Sequence, residues 1–187
     1  MKKLSDILYK VRIQSVNGAT DILVNDIQID SRRVKQGSVF IAIKGEKFDG
    51  HDFIEKAIEL GAVAIICDEL PSKLEAGITY VKVTDTNSAL AFLAANFYQN
   101  PSANLKLVGI TGTNGKTTTV TLLFNLFRSL GYSVGLLSTV QNKINNTVIP
   151  STHTTPDALA LNELLADMVA QGCEYAFMEV SSHAVVQ

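Results

Sequence analysis

Residues 105–119 read LKLVGITGTNGKTTT, and this stretch predicts the fold of the second half of the chain. The apolar run from Leu105 to Ile110 has the composition of a buried strand, and a loop of glycine, threonine and asparagine follows it. Apolar residues then recur three and four positions apart, which predicts an amphipathic helix with the buried face Val120, Leu122, Leu123, Leu126, Phe127 and Leu130. Strand, glycine loop and helix in this order are typical of a phosphate-binding loop, in which backbone N–H groups point at phosphate oxygens.

Gly115, Lys116 and Thr117 end this loop and supply its chemistry. Lys116 adds a positive charge beside the phosphates, and the Thr117 hydroxyl can be offered to Mg²⁺. The usual spacing places a further glycine five residues before the Gly-Lys pair, where this chain has Ile110, so we expect Gly112 to relieve the crowding instead. A glycine turn with a chance lysine is the alternative. We predict that the phosphates of a nucleoside triphosphate bind here.

Strand and helix patterns alternate along the chain, which predicts an α/β fold. The first part is predicted to contain three strands, at 39–43, 62–67 and 78–83, and two helices, at 52–60 and 87–98. A polar segment with a proline, Asn100–Asn104, then precedes the strand of the phosphate loop. We place a domain boundary there, which gives a small N-terminal α/β domain at 1–100 and the start of a second domain with a mainly parallel sheet at 105–187.

The second domain continues with predicted strands at 134–138 and 175–180 and a hairpin at 141–149 that turns at Asn145 and Asn146. A helix between the hairpin and the last strand is predicted to begin with Thr155 as the N-cap, followed by Pro156 and Asp157. Its predicted buried face is Leu161, Leu164, Leu165 and Met168. Three sheet strands are few for a nucleotide-binding domain, so we expect the chain to be an N-terminal piece of a longer protein.

Glu179 ends the last predicted strand, directly after an apolar run. Because ligands of open α/β sheets bind beyond the carboxyl ends of the strands, we expect Glu179 to face the same crevice as the phosphate loop and to hold Mg²⁺. The alternative is a solvated carboxylate that caps the strand. Ser181 is expected to hydrogen-bond a ligand, whereas Ser182 and His183 lack the third orienting group of a hydrolytic triad. For His183, a structural hydrogen bond and a ligand contact stay equally open.

The composition excludes several classes of function. Of the 187 residues, 47% are hydrophobic and 18% charged, as in a chain that buries a core, and the net charge of −2 gives no electrostatic footprint for nucleic acid or an anionic membrane. Asp6 and Lys10 interrupt the N-terminal segment, which argues against a signal peptide, and the longest apolar run, Ala62–Cys67, is too short to span a bilayer. Cys67 and Cys173 lack metal-type spacing, and we expect reduced thiols in a cytoplasmic protein.

Three further segments look ordinary when each is taken alone. Asp30-Ser31-Arg32 and Gly45–Phe53 have the composition of polar turns with solvated charges, and Thr152–Pro156 has that of a helix N-terminus. The chain nevertheless resembles the Mur ligase family, which makes the peptide of bacterial cell-wall precursors. The resemblance lies in the first two of these segments, in Thr154-Thr155-Pro156, in the phosphate loop, Thr111–Thr118, and in the run Met178–Ala184. The five motifs occur in order and span nearly the whole chain. Folylpolyglutamate synthetases, which are related, usually carry Gly-Lys-Gly where this chain has Gly-Lys-Thr.

The resemblance implies a role for each matching residue. The ATP phosphates would be bound by Gly112, Thr113, Asn114, Gly115, Lys116, Thr117 and Thr118, and Mg²⁺ by Thr117 and Glu179. The uridine end of a UDP-sugar would be bound by Ile29, Ser31, Glu46, Lys47 and Phe48. The rest of that substrate would be bound by His153, Thr154, Thr155, Ser181 and Gln187.

The reaction implied by the resemblance is ATP-dependent amide formation on UDP-N-acetylmuramoyl-L-alanyl-D-glutamate. The D-glutamate carboxylate would attack the γ-phosphoryl group of ATP, and the amine of a diamino acid, meso-diaminopimelate or L-lysine, would displace phosphate from the acyl phosphate. Lys116 is the implied catalytic residue, because it would neutralise charge on the transferring phosphoryl group together with Mg²⁺. The family's carbamoylated lysine and its amino-acid-binding third domain have no counterpart in these residues, so we expect an inactive piece. We expect a monomer.

Two other functions stay open on the residues alone. A phosphoryl-transferring kinase or ATPase could use the same loop, and it would hydrolyse or transfer phosphate without responding to UDP-sugars. A stand-alone module that only senses a nucleotide is the other alternative.

Overall fold

The computed structural model describes residues 1–45, 48–149 and 157–181. The chain divides into two compact units, Met1–Phe97 and Tyr98–Gln187. Each unit combines helices with one five-stranded sheet that contains parallel strands, so the predicted α/β class is confirmed.

The first unit contains seven strands and three α-helices within the described residues. They are β1 (Lys2–Lys3), α1 (Leu4–Ile7), β2 (Ile13–Asn17), β3 (Leu23–Val24), β4 (Asp26–Gln28), β5 (Ser38–Ile41), α2 (Ile54–Glu59), β6 (Ala62–Cys67), β7 (Thr79–Val83) and α3 (Thr86–Phe97). The main sheet has the order β2-β7-β6-β5-β4, in which β4 to β7 are parallel and β2 is antiparallel. Strands β1 and β3 form a separate antiparallel pair.

The predicted strands and helices of the first unit correspond to β5, β6, β7, α2 and α3, but the predicted number of elements was too small. Strands β1 to β4 and helix α1 were missed. Every residue of β2 is exposed, and β4 has only three residues, so neither produces an apolar run that a sequence pattern can detect. Strands β5 and β6, in contrast, are buried on both faces and read as continuous apolar runs.

One core cluster of the first unit lies between the sheet and α2. Phe40, Ile65 and Tyr80 come from three neighbouring strands and pack with Ile54 and Ala57 of α2. Tyr80 is 1% exposed, and its hydroxyl accepts a 3.0 Å hydrogen bond from the backbone N–H of Glu75. A buried phenol is tolerated because this bond satisfies its polar end.

The second unit adds five strands and two α-helices within the described residues. They are β8 (Lys106–Ile110), α4 (Lys116–Ser129), β9 (Val134–Leu137), β10 (Asn142–Ile144), β11 (Thr147–Ile149), α5 (Ala158–Ala170) and β12 (Tyr175–Glu179). The sheet order is β11-β10-β9-β12-β8. Strands β9, β12 and β8 are parallel, and the hairpin β10–β11 continues the same sheet in antiparallel fashion. The predicted hairpin is confirmed, and Asn145 in its turn has a φ of 54°.

Helices α4 and α5 cover opposite faces of this sheet. Leu136 of β9 packs in the cluster of α4, whereas its neighbour Leu137 packs in the cluster of α5. In β12, Phe177 packs in the cluster of α4 and Ala176 packs in the cluster of α5. Successive side chains of a strand point to opposite faces, so the two helices sandwich the sheet.

The predicted buried face of α4 was partly wrong. Val120 is buried, and Leu123 and Phe127 pack beside the buried Phe124, which the prediction omitted. The remaining members of the predicted face, Leu122, Leu126 and Leu130, are 63%, 52% and 63% exposed. Leucines four residues apart form a stripe of their own, and the spacing alone does not show which of two apolar stripes meets the sheet.

The predicted start of α5 was also wrong. Asp157 is its N-cap, and the Asp157 carboxylate accepts a 2.8 Å hydrogen bond from the backbone N–H of Ala160. Thr155 and Pro156 lie outside the described residues. The predicted apolar face is confirmed, since Leu165 and Met168 are buried and Leu161 and Leu164 pack beside them.

The two cysteines are buried and free, as expected. Burial raises the pKa of the Cys67 thiol to about 11, so this thiol stays protonated at neutral pH. Within the described ranges, no helix is both long and apolar enough to cross a membrane.

Candidate functional site

The loop between β8 and α4 has the backbone geometry that a phosphate requires. Its residues, 111–115, are all exposed, and Gly115 is the N-cap of α4. The backbone N–H of Thr119 donates the first bond of the helix to the Gly115 carbonyl at 2.8 Å. The N–H groups of the preceding residues in the first turn have no intrahelical acceptor, so they can serve an anion.

Gly112 is required in this loop by its backbone conformation rather than by crowding. Its φ is 142°, which side-chain-bearing residues rarely adopt. A Cβ atom at this position would meet only the Asn114 carbonyl oxygen, at an ordinary 3.9 Å. The expectation that Gly112 relieves a crowded loop was therefore wrong.

The Lys116 side chain folds back over the loop. Its Nζ donates a 2.7 Å hydrogen bond to the carbonyl oxygen of Gly112. The ammonium therefore lies above the loop that would surround a phosphate. Thr117 is half-buried in the first turn of α4, whereas Thr113, Asn114 and Thr118 are exposed.

Glu179 lies one strand away from the loop, at the carboxyl end of β12. Its partner across the parallel ladder is Ile110, the last residue of β8 before the loop. Glu179 Oε2 accepts a 3.2 Å hydrogen bond from the Thr139 hydroxyl, whereas Oε1 is buried and has no hydrogen-bond partner among the described residues. Burying a carboxylate oxygen without a partner is costly, which argues against a simple solvated strand cap.

A divalent cation beside bound phosphates would satisfy this oxygen. The described residues contain no group of three or more His, Cys, Asp or Glu side chains that could hold a metal ion. Mg²⁺ does not need such a cage, because it is usually bound by one or two carboxylates together with substrate phosphates and water. The donor set of Glu179 and Thr117 thus fits Mg²⁺ bound with a nucleotide.

Thr139 is a candidate residue that the sequence analysis missed. It follows β9, the other parallel neighbour of β12, so the carboxyl ends of three adjacent strands bring together Thr139, Glu179 and the phosphate loop. The sequence feature that could have identified Thr139 is its position just beyond the end of a strand, where ligands of open α/β sheets bind.

Ser181 is half-buried and lies two residues beyond Glu179. The other residues assigned to the sugar-peptide, His153, Thr154, Thr155 and Gln187, lie outside the described residues, as does His183. Their roles stay predictions.

In the first unit, candidate residues lie beyond the carboxyl ends of the neighbouring parallel strands β4 and β5. Ile29 is half-buried after β4, and Ser31, 7% exposed, begins a 3₁₀ turn. Phe48 lies beyond β5 and is 73% exposed, which is unusual for a large aromatic side chain. Glu46 and Lys47 lie outside the described residues.

Asp30 organises the turn that contains Ser31. Its carboxylate accepts bonds from the backbone N–H of Arg32 at 3.0 Å and from the Arg32 guanidinium at 2.7 Å. The side-chain hydrogen bond from Arg32 is the main reason that the pKa of Asp30 lies below its usual value. The Arg32 side chain is 79% exposed, as the interpretation of a turn with solvated charge predicts.

Two protein-family models match the chain. The one described as "Mur ligase family, catalytic domain" matches residues 23–98, and the one described as "Mur ligase middle domain" matches residues 110–187.

Several curated proteins similar to the chain are named UDP-N-acetylmuramoyl-L-alanyl-D-glutamate–2,6-diaminopimelate ligase. The protein of Cytophaga hutchinsonii is 57% identical over 186 residues, which are 99% of this chain and 38% of that protein. The protein of Bacteroides fragilis is 51% identical over 185 residues, again 99% of this chain and 38% of that protein. The chain thus spans less than two fifths of the length of these relatives.

Solved structures of two ligases are also similar to the chain. A structure of a ligase with the same name covers 99% of this chain, and the chain covers 37% of it, with a TM-score of 0.79 and 28% identity. The MurF ligase of Thermotoga maritima, crystallised in complex with ADP, covers 88% of this chain with a TM-score of 0.59 and 30% identity, and 34% of that protein is matched.

Proposed function

The chain belongs to the Mur ligase family, and from this premise we propose that it carries the uridine-binding and ATP-binding parts of a ligase. The ligase would add 2,6-diaminopimelate to UDP-N-acetylmuramoyl-L-alanyl-D-glutamate, as the names of the relatives from Cytophaga hutchinsonii and Bacteroides fragilis indicate. Of the two diamino acids that the sequence leaves open, these names favour diaminopimelate. The strongest support for this proposal is Glu179 Oε1, which is buried near the phosphate loop and has no hydrogen-bond partner among the described residues.

The second unit would bind ATP. Backbone N–H groups of residues 112–118 would surround the phosphates at the N-terminus of α4. Lys116 would exchange the Gly112 carbonyl for a phosphate oxygen, since a charge-assisted bond to an anion is stronger than a bond to a neutral carbonyl. Glu179 and Thr117 would hold Mg²⁺, which would neutralise charge on the phosphates when bound.

The first unit would bind the uridine end of the substrate. Ile29, Ser31 and Phe48 lie beyond the ends of adjacent parallel strands, where open α/β sheets bind their ligands. The exposed Phe48 offers an apolar surface to a nucleoside, and the Ser31 hydroxyl can hydrogen-bond it. Ser181, in the second unit, would contact the sugar-peptide.

The chemistry would proceed in two steps. A carboxylate oxygen of the D-glutamate attacks the γ-phosphorus of ATP, and the bond to the β-γ bridging oxygen breaks to release ADP. The amine of the diamino acid then attacks the acyl carbon, phosphate leaves with the C–O electron pair, and the ammonium loses a proton. Lys116 would stabilise the charge on the phosphoryl oxygens in the first step. We propose that the second step needs the longer protein, because the chain spans only 38% of its relatives.

Calorimetry on the 187-residue chain tests this proposal. We expect separate binding of ATP–Mg²⁺ and of UDP-N-acetylmuramoyl-L-alanyl-D-glutamate, with no amide formed when diaminopimelate or lysine is added. Release of ADP that ignores the UDP-sugar would favour the kinase or ATPase. Binding of ATP with indifference to every uridine nucleotide would favour the nucleotide-sensing module.

Three further properties belong to the same proposal. The chain would require Mg²⁺ for tight ATP binding, it would be a monomer, and it would act in the cytoplasm, where ATP and the UDP-sugar are available.

A further inference from the structure

His51 connects two carboxylates in the first unit. Its Nδ1 lies 2.6 Å from Asp49 Oδ1, and its Nε2 lies 2.9 Å from Asp68 Oδ1. The His51 side chain is 17% exposed, whereas those of Asp49 and Asp68 are 32% and 30% exposed. The sequence analysis assigned solvated charge to this segment, which is wrong for His51.

The two ring nitrogens of His51 have different contacts. Nδ1 shares a hydrogen bond with Asp49 Oδ1. The backbone N–H of Glu69 donates a long, 3.5 Å hydrogen bond to Nε2, which also lies beside Asp68 Oδ1. His51 therefore links Asp49 to Asp68 and Glu69.

The two carboxylates belong to different parts of the unit. Asp49 pairs with Lys44 in an isolated β-bridge, next to the 3.0 Å bond from the Gly45 N–H to the Phe48 carbonyl. Asp68 directly follows β6. The His51 ring thus ties the residues beside Phe48 to the end of the neighbouring strand.

The backbone next to Asp49 is already closely packed. The Gly50 N–H donates a 2.8 Å bond to the Ile43 carbonyl, and a Cβ at Gly50 would lie 2.5 Å from the Ile43 nitrogen. The Gly50 hydrogen bond holds the segment 48–51 against the residues that follow β5. The contact of His51 with Asp68 holds the same segment against the end of β6.

We propose that His51 is a positioning residue, which holds Phe48 and its neighbours in the conformation that binds uridine. The inference rests on the proposed function, since Ile29, Ser31 and Phe48 follow β4 and β5, and Asp68 follows the next parallel strand, β6. Without the His51 bridge, the segment occupies its binding conformation for a smaller fraction of the time. The apparent affinity for uridine nucleotides falls by that same fraction.

The test measures the Kd for UDP by calorimetry on the 187-residue chain. His51→Gln keeps a polar side chain but removes the ring that reaches both Asp49 and Asp68, and we expect Kd to rise about tenfold, equivalent to about 1.4 kcal/mol. His51→Arg offers several donors to the two carboxylates and is expected to stay within about threefold of the original chain. Asp52→Asn is the control, because this exposed carboxylate has no ion pair among the described residues.

The outcomes separate the inference from the proposed function. If the unaltered chain does not bind UDP, the assignment of the first unit fails. If it binds UDP and His51→Gln binds equally well, the positioning role is overturned. Failure of His51→Arg to keep the affinity of the original chain overturns the bridge between Asp49 and Asp68 as the cause. Thermal unfolding shows whether His51→Gln still folds. If it does not fold, the Kd of Asp68→Asn for UDP tests the positioning role instead, because this variant weakens the bridge at its other end.

Discussion

The Lys116 ammonium donates a 2.7 Å hydrogen bond to the carbonyl of Gly112, four residues earlier, and so closes the phosphate loop on itself. The loop thus holds its own cation in place before any phosphate arrives. When ATP binds, the Lys116 ammonium exchanges the Gly112 carbonyl for a phosphate oxygen as its acceptor. The side chain is already ordered, which limits the conformational entropy lost on binding.

Lys116→Ala should therefore weaken ATP–Mg²⁺ binding by roughly 10- to 100-fold, since a hydrogen bond to a charged group contributes about 1.5–3 kcal/mol. In the longer enzyme it should abolish most ligase activity. Calorimetry measures the first effect and release of ADP the second. Lys73→Ala, at an 81% exposed lysine in the first unit, is the control. Near-normal turnover by Lys116→Ala would exclude the assigned role.

Glu179→Gln should raise the Mg²⁺ concentration that tight ATP binding requires, because the amide keeps the size of the side chain and loses its charge. We expect an affinity about tenfold lower at limiting Mg²⁺, partly restored by excess Mg²⁺. Glu174→Gln, at an exposed residue just before β12 starts, should change neither quantity. An unchanged Mg²⁺ dependence in Glu179→Gln would support the strand-cap alternative.

Thr139→Val should lower ATP–Mg²⁺ affinity roughly threefold, since it removes one donor to Glu179 and leaves the carboxylate in place. Thr139→Ser retains the hydroxyl and should bind normally. The same titration measures both variants. Equal losses in the two would assign the effect to packing rather than to the hydrogen bond.

Asp157→Ala should lower the free energy of unfolding by about 1 kcal/mol, because it removes the N-cap of α5. The corresponding fall in the thermal midpoint is about 4–8 °C for a domain of the size of the second unit, Tyr98–Gln187. Asp167→Ala, in the last turns of the same helix, removes a negative charge from the unfavourable end of the helix dipole and should leave the midpoint unchanged or slightly higher.

Acid should destabilise the first unit in part through Asp85. The side-chain hydrogen bond with Ser88 and the backbone N–H of the same residue hold the pKa of Asp85 below its ordinary value of 3.8. A carboxyl with a lowered folded-state pKa stabilises the fold above 3.8 and loses that contribution as pH falls through the lower value. The difference in thermal midpoint between the original chain and Asp85→Asn should therefore shrink below pH 3.8. A constant difference down to pH 2 would contradict this.

Local patterns allowed the phosphate loop, strand β6 and the hairpin at Asn145 to be predicted from sequence. Each of them depends on residues that are close in the chain, such as a glycine loop after an apolar run or a pair of asparagines in a turn. Strand β6 was predicted with its observed bounds, Ala62–Cys67, because burial on both faces makes it a continuous apolar run.

Contacts between distant residues could not be predicted in this way. The bond between Thr139 and Glu179 joins residues 40 positions apart, and the contact of His51 with Asp68 depends on the order of strands in the sheet. The exposed stripe of Leu122, Leu126 and Leu130 shows the same limit. Two apolar stripes on one helix look alike in sequence, and only the tertiary structure determines which of them packs against the sheet.

Strand β8, from which the phosphate loop extends, lies at an edge of the described sheet and pairs only with β12 there. Backbone amides on the unpaired side of such a strand exchange their hydrogens with solvent through small local openings, well before global unfolding. A nucleotide anchored at the end of β8 suppresses those openings. Amide exchange in Leu107–Ile110 is therefore expected to slow when ATP binds, which makes this strand a reporter of occupancy without any label on the ligand.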